Sequence, residues 1–177
     1  MPEIIYYVAG SLDGYIAGEN DDISTFVASG KGVEKYLSDL QKFETVIMGR
    51  LTYEFGYKFG LKPGQPAYPH MQHHIFSDTL EIETLSDKVL IEKRSINRIK
   101  EIRDASNTNV YLCGGGQFAG WLLDNGLIDQ LKLKLNPIVL GSGIPLFGDS
   151  DSSFSGKLIE REFFDEGFAI LTYHINK

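Results

Sequence analysis

The sequence contains a single cysteine, Cys113, and therefore has no internal disulfide framework. It also lacks any apolar run close to the roughly 20 residues that a membrane-spanning helix needs. Its first residues have neither the basic start nor the cleavage site of a signal peptide. These absences predict a protein of the reducing cytoplasm that does not span a membrane.

Basic residues are in the minority, since 17 Lys and Arg are outnumbered by 24 Asp and Glu and the formal net charge is −7. The sequence has no dense Lys/Arg block, the feature with which a nucleic-acid-binding protein neutralises phosphates. No nucleic-acid partner is therefore predicted. An anionic cofactor stays open, because backbone N–H groups at a helix N-terminus bind phosphate without a positive side chain.

Several motifs of common enzymes and metal sites are also missing. The sequence has no G-x-G-x-x-G, Walker A or G-x-S-x-G pattern. His70, His73 and His74 lie close together, but neighbouring strand residues point to opposite faces, so no metal site is predicted. Cys113 lies in an apolar run with no basic residue beside it, which predicts an inert core cysteine.

Short apolar runs alternate with amphipathic segments along most of the chain. These predict strands over 4–8, 45–48, 74–76, 89–91 and 109–113, and helices over 33–43, 96–102 and 117–123. Such alternation predicts an α/β domain with a mostly parallel sheet covered on both faces. Residues 131–140 predict another strand, and 157–163 and 168–175 predict an antiparallel pair. The Gly- and Pro-rich stretch 56–70 predicts a loop, and the absence of a linker predicts one domain over 1–177.

The run Gly114-Gly115-Gly116 follows a predicted buried strand and precedes a predicted helix. Without Cβ atoms, the backbone of such a turn lets a pyrophosphate approach, and the helix N-terminus then attracts the negative charge. On spacing alone, a tight packing turn explains the same glycines equally well.

A second turn of this kind is Met48-Gly49-Arg50-Leu51-Thr52, where a buried strand again ends at glycine. Arg50 can pair with a phosphate, and Thr52 can cap a helix while donating to phosphate. A dinucleotide has separated groups to bind and would use both turns at the carboxyl edge of the strands. Asp13 and Glu34 are candidate proton donors, although Asp13-Gly14 is also a turn former and Glu34 also suits a helix N-terminus.

Four motifs, taken in order, carry a resemblance to a known family. They are Ser11-Leu12-Asp13-Gly14-Tyr15-Ile16-Ala17, Met48-Gly49-Arg50-Leu51-Thr52-Tyr53-Glu54, Cys113-Gly114-Gly115-Gly116-Gln117 and Pro137-Ile138-Val139-Leu140-Gly141-Ser142-Gly143-Ile144-Pro145-Leu146-Phe147. With this order and spacing the sequence resembles the dihydrofolate reductase-like superfamily, in the branch of the riboflavin-biosynthesis reductase (the RibD C-terminal domain type). The resemblance implies a three-layer α/β/α fold, a mixed, mostly parallel sheet of about eight strands, and a homodimer.

The resemblance also implies an NADPH cofactor, with NADH as the alternative, lying across the strand ends. The residues implied to contact it are Ala9, Ile16, Gly49, Arg50, Leu51, Thr52, Ser77, Asp78, Gly114, Gly115, Gly116, Gln117, Phe118 and Ala119. Asp78 stands where dihydrofolate reductases select the adenosine 2′-phosphate. A carboxylate repels that phosphate and suits a ribose hydroxyl, whereas Arg50 favours the phosphate.

The function expected from this resemblance is an NAD(P)H-dependent reductase of a small heterocyclic substrate, pteridine- or pyrimidine-like. Tyr15 and Phe26 are expected to wall the substrate pocket. Two alternatives stay open: the 5-amino-6-(5-phosphoribosylamino)uracil reductase of riboflavin biosynthesis, and a non-catalytic dinucleotide-binding protein. The first is disfavoured because Cys113 replaces a glutamate that contacts the pyrimidine, and because the acidic stretch 19–22 would meet the substrate phosphate.

Overall fold

Ten strands and four helices follow one another along residues 1–176, the part of the chain that this computed structural model describes. The strands are β1 (Ile4–Gly10), β2 (Tyr15–Ala17), β3 (Thr45–Gly49), β4 (Gln72–Phe76), β5 (Val89–Glu92), β6 (Val110–Gly114), β7 (Gln130–Leu135), β8 (Ile144–Pro145), β9 (Ser155–Phe163) and β10 (Ala169–Asn176). The helices are α1 (Lys31–Leu40), α2 (Arg50–Phe55), α3 (Ile96–Ala105) and α4 (Gly116–Asp124), with short 3-10 helices at Glu19–Asp21 and Gly56–Phe59. No helix in these residues combines the length and the apolar character needed to cross a membrane.

Eight of the strands form one sheet in the order β5-β4-β3-β6-β1-β7-β10-β9. Neighbouring strands pair in parallel as far as β7, and β10 is antiparallel to both β7 and β9. Strands β2 and β8 pair separately. The predicted mixed, mostly parallel sheet is confirmed, as is the antiparallel pair at the end of the chain.

The central strand β1 packs against both outer layers. Ile4 and Tyr6 belong to a core cluster with residues of α3 and α4, whereas Ile5 and Tyr7 belong to a second cluster that includes Leu40 of α1. Because successive strand residues point to opposite faces, a strand covered on both faces needs apolar residues at every position. This explains the uninterrupted apolar run in β1 and the three-layer arrangement.

The predicted strand over 131–140 is wrong in its second half, because β7 ends at Leu135. The next residue, Asn136, is fully buried and turns the chain with its side chain. Its Oδ1 accepts a hydrogen bond from the Val27 N–H at 2.9 Å, and its Nδ2 donates to the Lys134 carbonyl at 3.0 Å. The apolar composition of the following residues thus gave no indication of where the strand stops.

A buried ion cluster ties α1 to the sheet. The Asp39 carboxylate, 2% exposed, accepts hydrogen bonds from Lys35 at 2.6 Å, Lys42 at 2.9 Å and Lys132 of β7 at 3.0 Å. The Tyr7 hydroxyl also donates to it, at 3.3 Å. Burial on its own raises the pKa of Asp39, but the three ammonium groups outweigh it and lower that pKa well below its usual range. The carboxylate therefore stays ionised and holds α1 over β1 and β7.

Candidate functional site

A cleft of about 810 Å³ opens along the carboxyl ends of four parallel strands. Ala9 of β1, Gly49 of β3, Cys113 of β6 and Ser77 directly after β4 all line it. This edge of an open α/β sheet is where such folds bind ligands. The predicted cofactor residues that line the cleft are Ala9, Ile16, Gly49, Arg50, Leu51, Thr52, Ser77, Asp78, Gly115, Gly116, Gln117 and Phe118, and the predicted substrate residue Phe26 lines it as well.

Five of the predicted site residues lie outside the lining of the cleft: Asp13, Tyr15, Glu34, Gly114 and Ala119. Ala119 lies on the buried face of α4 and belongs to the core. Tyr15 precedes Ile16 in β2 and, by strand alternation, points away from the face on which Ile16 lines the cleft. Glu34 is exposed on α1.

Asp13 also lies outside the cleft lining, and its carboxylate is already bonded. It accepts hydrogen bonds from Ser11 Oγ at 2.6 Å and from the N–H groups of Leu140 at 3.1 Å and Gly141 at 2.8 Å. These bonds, that from Ser11 above all, lower the pKa of Asp13 to about 2. A carboxyl that is ionised at neutral pH has no proton to donate, so the structure favours the turn-forming role of Asp13.

The two glycine turns predicted to hold phosphate meet in the cleft. Gly114 and Gly115 have φ angles of +129° and +92°, which side chains rarely adopt. A Cβ atom on Gly115 would lie 2.7 Å from Thr52 Oγ1, in the other turn. The first turn of α4 has no side-chain cap, so its N–H groups are available to an anion. Thr52 does not cap α2 as predicted, because that helix begins earlier, at Arg50.

Packing explains other glycines of the same segment. A Cβ on Gly116 would lie 2.5 Å from the Pro145 carbonyl oxygen, and one on Gly120 would lie 2.3 Å from that of Phe147. Packing therefore accounts for part of the glycine run, and phosphate binding stays a prediction for the rest. Gly116 and Gly120 let α4 pack closely, whereas Gly115 keeps the space beside Thr52 open.

Two arginines line the cleft and differ in their partners. Arg50 Nη1 lies 3.0 Å from Glu54 Oε2, one turn along α2. Arg94, just after β5, has its Cζ atom 5.9 Å from the centre of the Phe118 ring and no carboxylate partner among residues 1–176. The sequence did not identify Arg94 as a site residue. Its place shortly after a predicted strand is the only sequence feature that could have indicated it.

Uncharged side chains line the cleft beneath α1, in a region that we call the α1 end. It consists of Tyr7, Tyr36, Met48, Tyr68, Tyr111 and Cys113. The Tyr36 and Tyr111 hydroxyl oxygens are 2.9 Å apart, and the Tyr68 hydroxyl lies 3.4 Å from Cys113 Sγ. Burial raises the pKa of Tyr36 to about 12 and that of Tyr111 well above its usual value, so both phenols stay protonated at neutral pH.

Cys113, predicted to be an inert core cysteine, packs against the core but also lines the cleft. The pairing of β3 with β6 passes from Ile47↔Leu112 to Met48↔Gly114, which leaves Cys113 as the extra residue of a β-bulge. The bulge lies at the floor of the cleft, where the thiol contacts Tyr68. Burial raises the pKa of Cys113, so it stays a thiol and not a reactive thiolate.

His73 positions the loop that carries Tyr68. Its Nε2 accepts a hydrogen bond from the Tyr68 N–H at 3.1 Å, so its Nδ1 must donate to the Met71 carbonyl at 3.0 Å. The two rings are stacked with their centres 5.9 Å apart. No three His, Cys, Asp or Glu side chains of residues 1–176 converge on a point that could hold a metal ion.

We expect His73 to make the fold sensitive to acid. Burial lowers its pKa from 6.5 to about 4. Below pH 6.5 the unfolded chain binds a proton that the folded chain does not, so the free energy of unfolding falls as the pH drops, by about 3 kcal/mol in all. Above pH 6.5 this contribution does not change.

Urea unfolding at several pH values from neutral down to about 4 measures this loss. NMR titration of the His73 ring tests its origin directly. A ring that titrates near pH 6.5 would contradict the assignment, since that is the value of an unperturbed histidine.

Comparison with known proteins places these features in a family. The family model described as "RibD C-terminal domain" matches residues 2–170. The uncharacterized protein YwjB of Bacillus subtilis is 30% identical over 146 residues, covering 81% of both chains. The crystal structure of a putative riboflavin biosynthesis protein from Shewanella has a TM-score of 0.81 at 26% identity and covers both chains fully. Dihydrofolate reductase from Enterococcus faecalis, complexed with NADP(H), has a TM-score of 0.66 at 17% identity, covering 99% of this chain and 97% of its own.

Proposed function

The chain belongs to the RibD C-terminal domain family, and we propose that it is an NADPH-dependent reductase of a small heterocyclic substrate. The observation that carries this proposal is the meeting of the two glycine turns, where a Cβ on Gly115 would lie 2.7 Å from Thr52 Oγ1. The turns leave a space lined by backbone, a hydroxyl and a helix N-terminus, which is the chemistry that binds pyrophosphate. The NADP(H) complex of the Enterococcus dihydrofolate reductase, which has the same fold, supports the choice of cofactor.

The residues of the cleft fit a nicotinamide dinucleotide along its whole length. Gly115 and Thr52 would hold the pyrophosphate, Ala9 and Ile16 would lie along the nicotinamide, and Arg94 would meet the adenosine end. The bound cofactor supplies a hydride. The chain itself orients the two reactants and keeps water from them.

Apolar side chains on the rim can exclude that water. Leu51 is 65% exposed and Phe59 is 69% exposed, although both line the cleft. Phe55 contacts Phe59 edge to face, with ring centres 5.2 Å apart. A ligand in the cleft would bury these rings, and apolar burial strengthens binding as it removes water.

Titration of the purified protein with NADPH and NADH, followed by cofactor fluorescence, tests the proposal. We expect NADPH to bind with a dissociation constant below about 100 µM, and bound NADPH to be oxidised when a dihydropterin or an aminopyrimidine is added. If neither NADPH nor NADH binds at millimolar concentration, the proposal is overturned. Binding without turnover of any heterocycle would favour a non-catalytic dinucleotide-binding protein.

Arg94 is expected to select NADPH over NADH. Substitution of Arg94 by methionine should weaken NADPH binding about 10-fold and barely change NADH binding, because the lost guanidinium has no acidic partner in residues 1–176 and is available to the 2′-phosphate. The Arg161→Met variant is the matched control, since Arg161 is exposed on β9 outside the cleft lining, and it should bind both dinucleotides as the unaltered protein does. Asp78→Asn should act in the opposite direction and tighten NADPH. Equal losses for both dinucleotides in Arg94→Met would contradict this role.

A further inference from the structure

Charged side chains are unevenly distributed along the cleft. Those that line it come from four separate segments: Asp21 from the loop after β2, Arg50 from α2, Asp78 from the end of β4, and Arg94 from the end of β5. The α1 end consists of four tyrosines, Met48 and Cys113, and all six of these residues are uncharged at neutral pH. The cleft therefore has one charged part and one neutral part.

Two cations approach the α1 end without lining the cleft. Lys132 Nζ lies 5.0 Å from the centre of the Tyr7 ring and is paired with the Asp39 carboxylate at 3.0 Å. Lys134 Nζ lies 4.5 Å from the centre of the Tyr36 ring and 6.0 Å from that of Phe168, and the residue is only 8% exposed. Its ammonium group packs against these rings, and burial lowers the pKa of Lys134. Lys134 does not provide the α1 end with a partner for a phosphate in the cleft.

We propose that the α1 end binds an uncharged planar heterocycle, held by a hydrogen bond from the Tyr36 hydroxyl to a ring carbonyl or ring nitrogen, and rejects a phosphorylated one. This inference rests on the proposed function and narrows its substrate class. A phosphate buried at the α1 end would lose its hydration without gaining a cation, which is costly. A flat ring instead gains contact with the aromatic side chains there.

Tyr36 is suited to donate this hydrogen bond. A phenol has one donor and two acceptor sites, so the Tyr111 hydroxyl can donate to Tyr36 across their 2.9 Å separation and leave the Tyr36 hydrogen for the ligand. Tyr111 is 1% exposed and lies behind Tyr36, which is half-buried and lines the cleft. Tyr68 is held on the other side by His73 and Cys113.

Calorimetric titration of the NADPH-saturated protein tests the inference with four probes. Lumazine, 6-methylpterin and 5-amino-6-ribitylaminouracil are uncharged rings, and the 5′-phosphate of the last differs from its parent only in the phosphate. At least one uncharged probe should bind with a dissociation constant below about 100 µM. The phosphate should bind more weakly than its parent. Tyr36→Phe should weaken the uncharged probe about 10-fold, the effect of one hydrogen bond, and leave NADPH affinity unchanged.

Tyr173→Phe, in β10 and away from the cleft, is the matched control and should bind as the unaltered protein does. If Tyr36→Phe is unstable because the buried Tyr111 oxygen has lost its partner, Tyr36→Phe combined with Tyr111→Phe removes both polar atoms and serves in its place. Tighter binding of the phosphate, or undiminished affinity in these variants, overturns the inference. If the protein binds NADPH but none of the uncharged probes at 1 mM, the inference is also overturned and the proposed function stands. If the protein does not bind NADPH, the proposed function itself is overturned.

Discussion

Substitution of Gly115 by alanine is expected to weaken NADPH binding about 100-fold. The new Cβ would lie 2.7 Å from Thr52 Oγ1, closer than such atoms approach, and would occupy the space between the two turns. The backbone at φ +92° also becomes strained with any side chain present. Relief of both effects would move the N–H groups of α4 away from the phosphates that they are proposed to bind. Fluorescence titration of the variant with NADPH measures the loss.

Gly126→Ala is the matched control for this substitution. Gly126 also has a positive φ, +62°, so alanine meets a backbone penalty there too, but its Cβ would have no atom within 4 Å and it lies just beyond the far end of α4. We expect Gly126→Ala to lower thermal stability slightly and to bind NADPH normally. Equal effects of the two alanines on binding would contradict a role for Gly115 in holding the cofactor.

Substitution of Asp39 by asparagine should lower the free energy of unfolding by about 3–5 kcal/mol. The carboxylate is 2% exposed and has three lysine partners, Lys35, Lys42 and Lys132. Its replacement leaves their ammonium groups without their shared anion, and Lys132 is itself mostly buried, with a side chain 13% exposed. Removal of one partner from a buried ion cluster costs far more than its formation contributes, because the remaining charges stay desolvated.

Thermal unfolding measures this prediction, and a loss of this size corresponds to a decrease in Tm of about 10 °C in a chain of this length. Asp104→Asn is the matched control: Asp104 pairs with Arg103 at 2.9 Å, but its side chain is 57% exposed. An exposed pair contributes little, so the control should change the free energy of unfolding by less than about 0.5 kcal/mol. Similar effects of the two substitutions would show that the Asp39 cluster does not hold α1 in place.

The features predicted correctly from the sequence depend on short stretches of chain. Buried strands of the parallel sheet, such as β1 and β3, show as apolar runs because both of their faces are covered. The turn after β6 shows as consecutive glycines because its backbone has positive φ angles. Both signals lie within a few residues of the feature that they predict.

The α1 end could not be predicted in this way, because its residues come from distant parts of the chain. Tyr36 lies on a helix, Tyr68 in a Pro-rich loop and Tyr111 on a strand, and only tertiary packing brings their hydroxyl groups together. The loop has no periodicity that a sequence pattern could use, and its position depends on the hydrogen bond from the Tyr68 N–H to His73. Asp13 had two interpretations from the sequence, a proton donor and a turn former, and its three hydrogen bonds, which only the folded chain shows, favour the second.

The turn at Gly114 and Gly115 has a consequence for how this protein can diverge. There the backbone conformation itself forms the proposed binding surface, so few amino-acid replacements are compatible with it. The α1 end is formed by side chains from β1, α1, β3, β6 and the loop before β4. Two of them, Tyr36 and Tyr68, lie on segments separate from that turn and can be exchanged without altering its backbone. In the proposed reductase, mutation can therefore alter which molecule is reduced while the proposed source of reducing power is retained, so that a single scaffold can supply reductases with unrelated substrates.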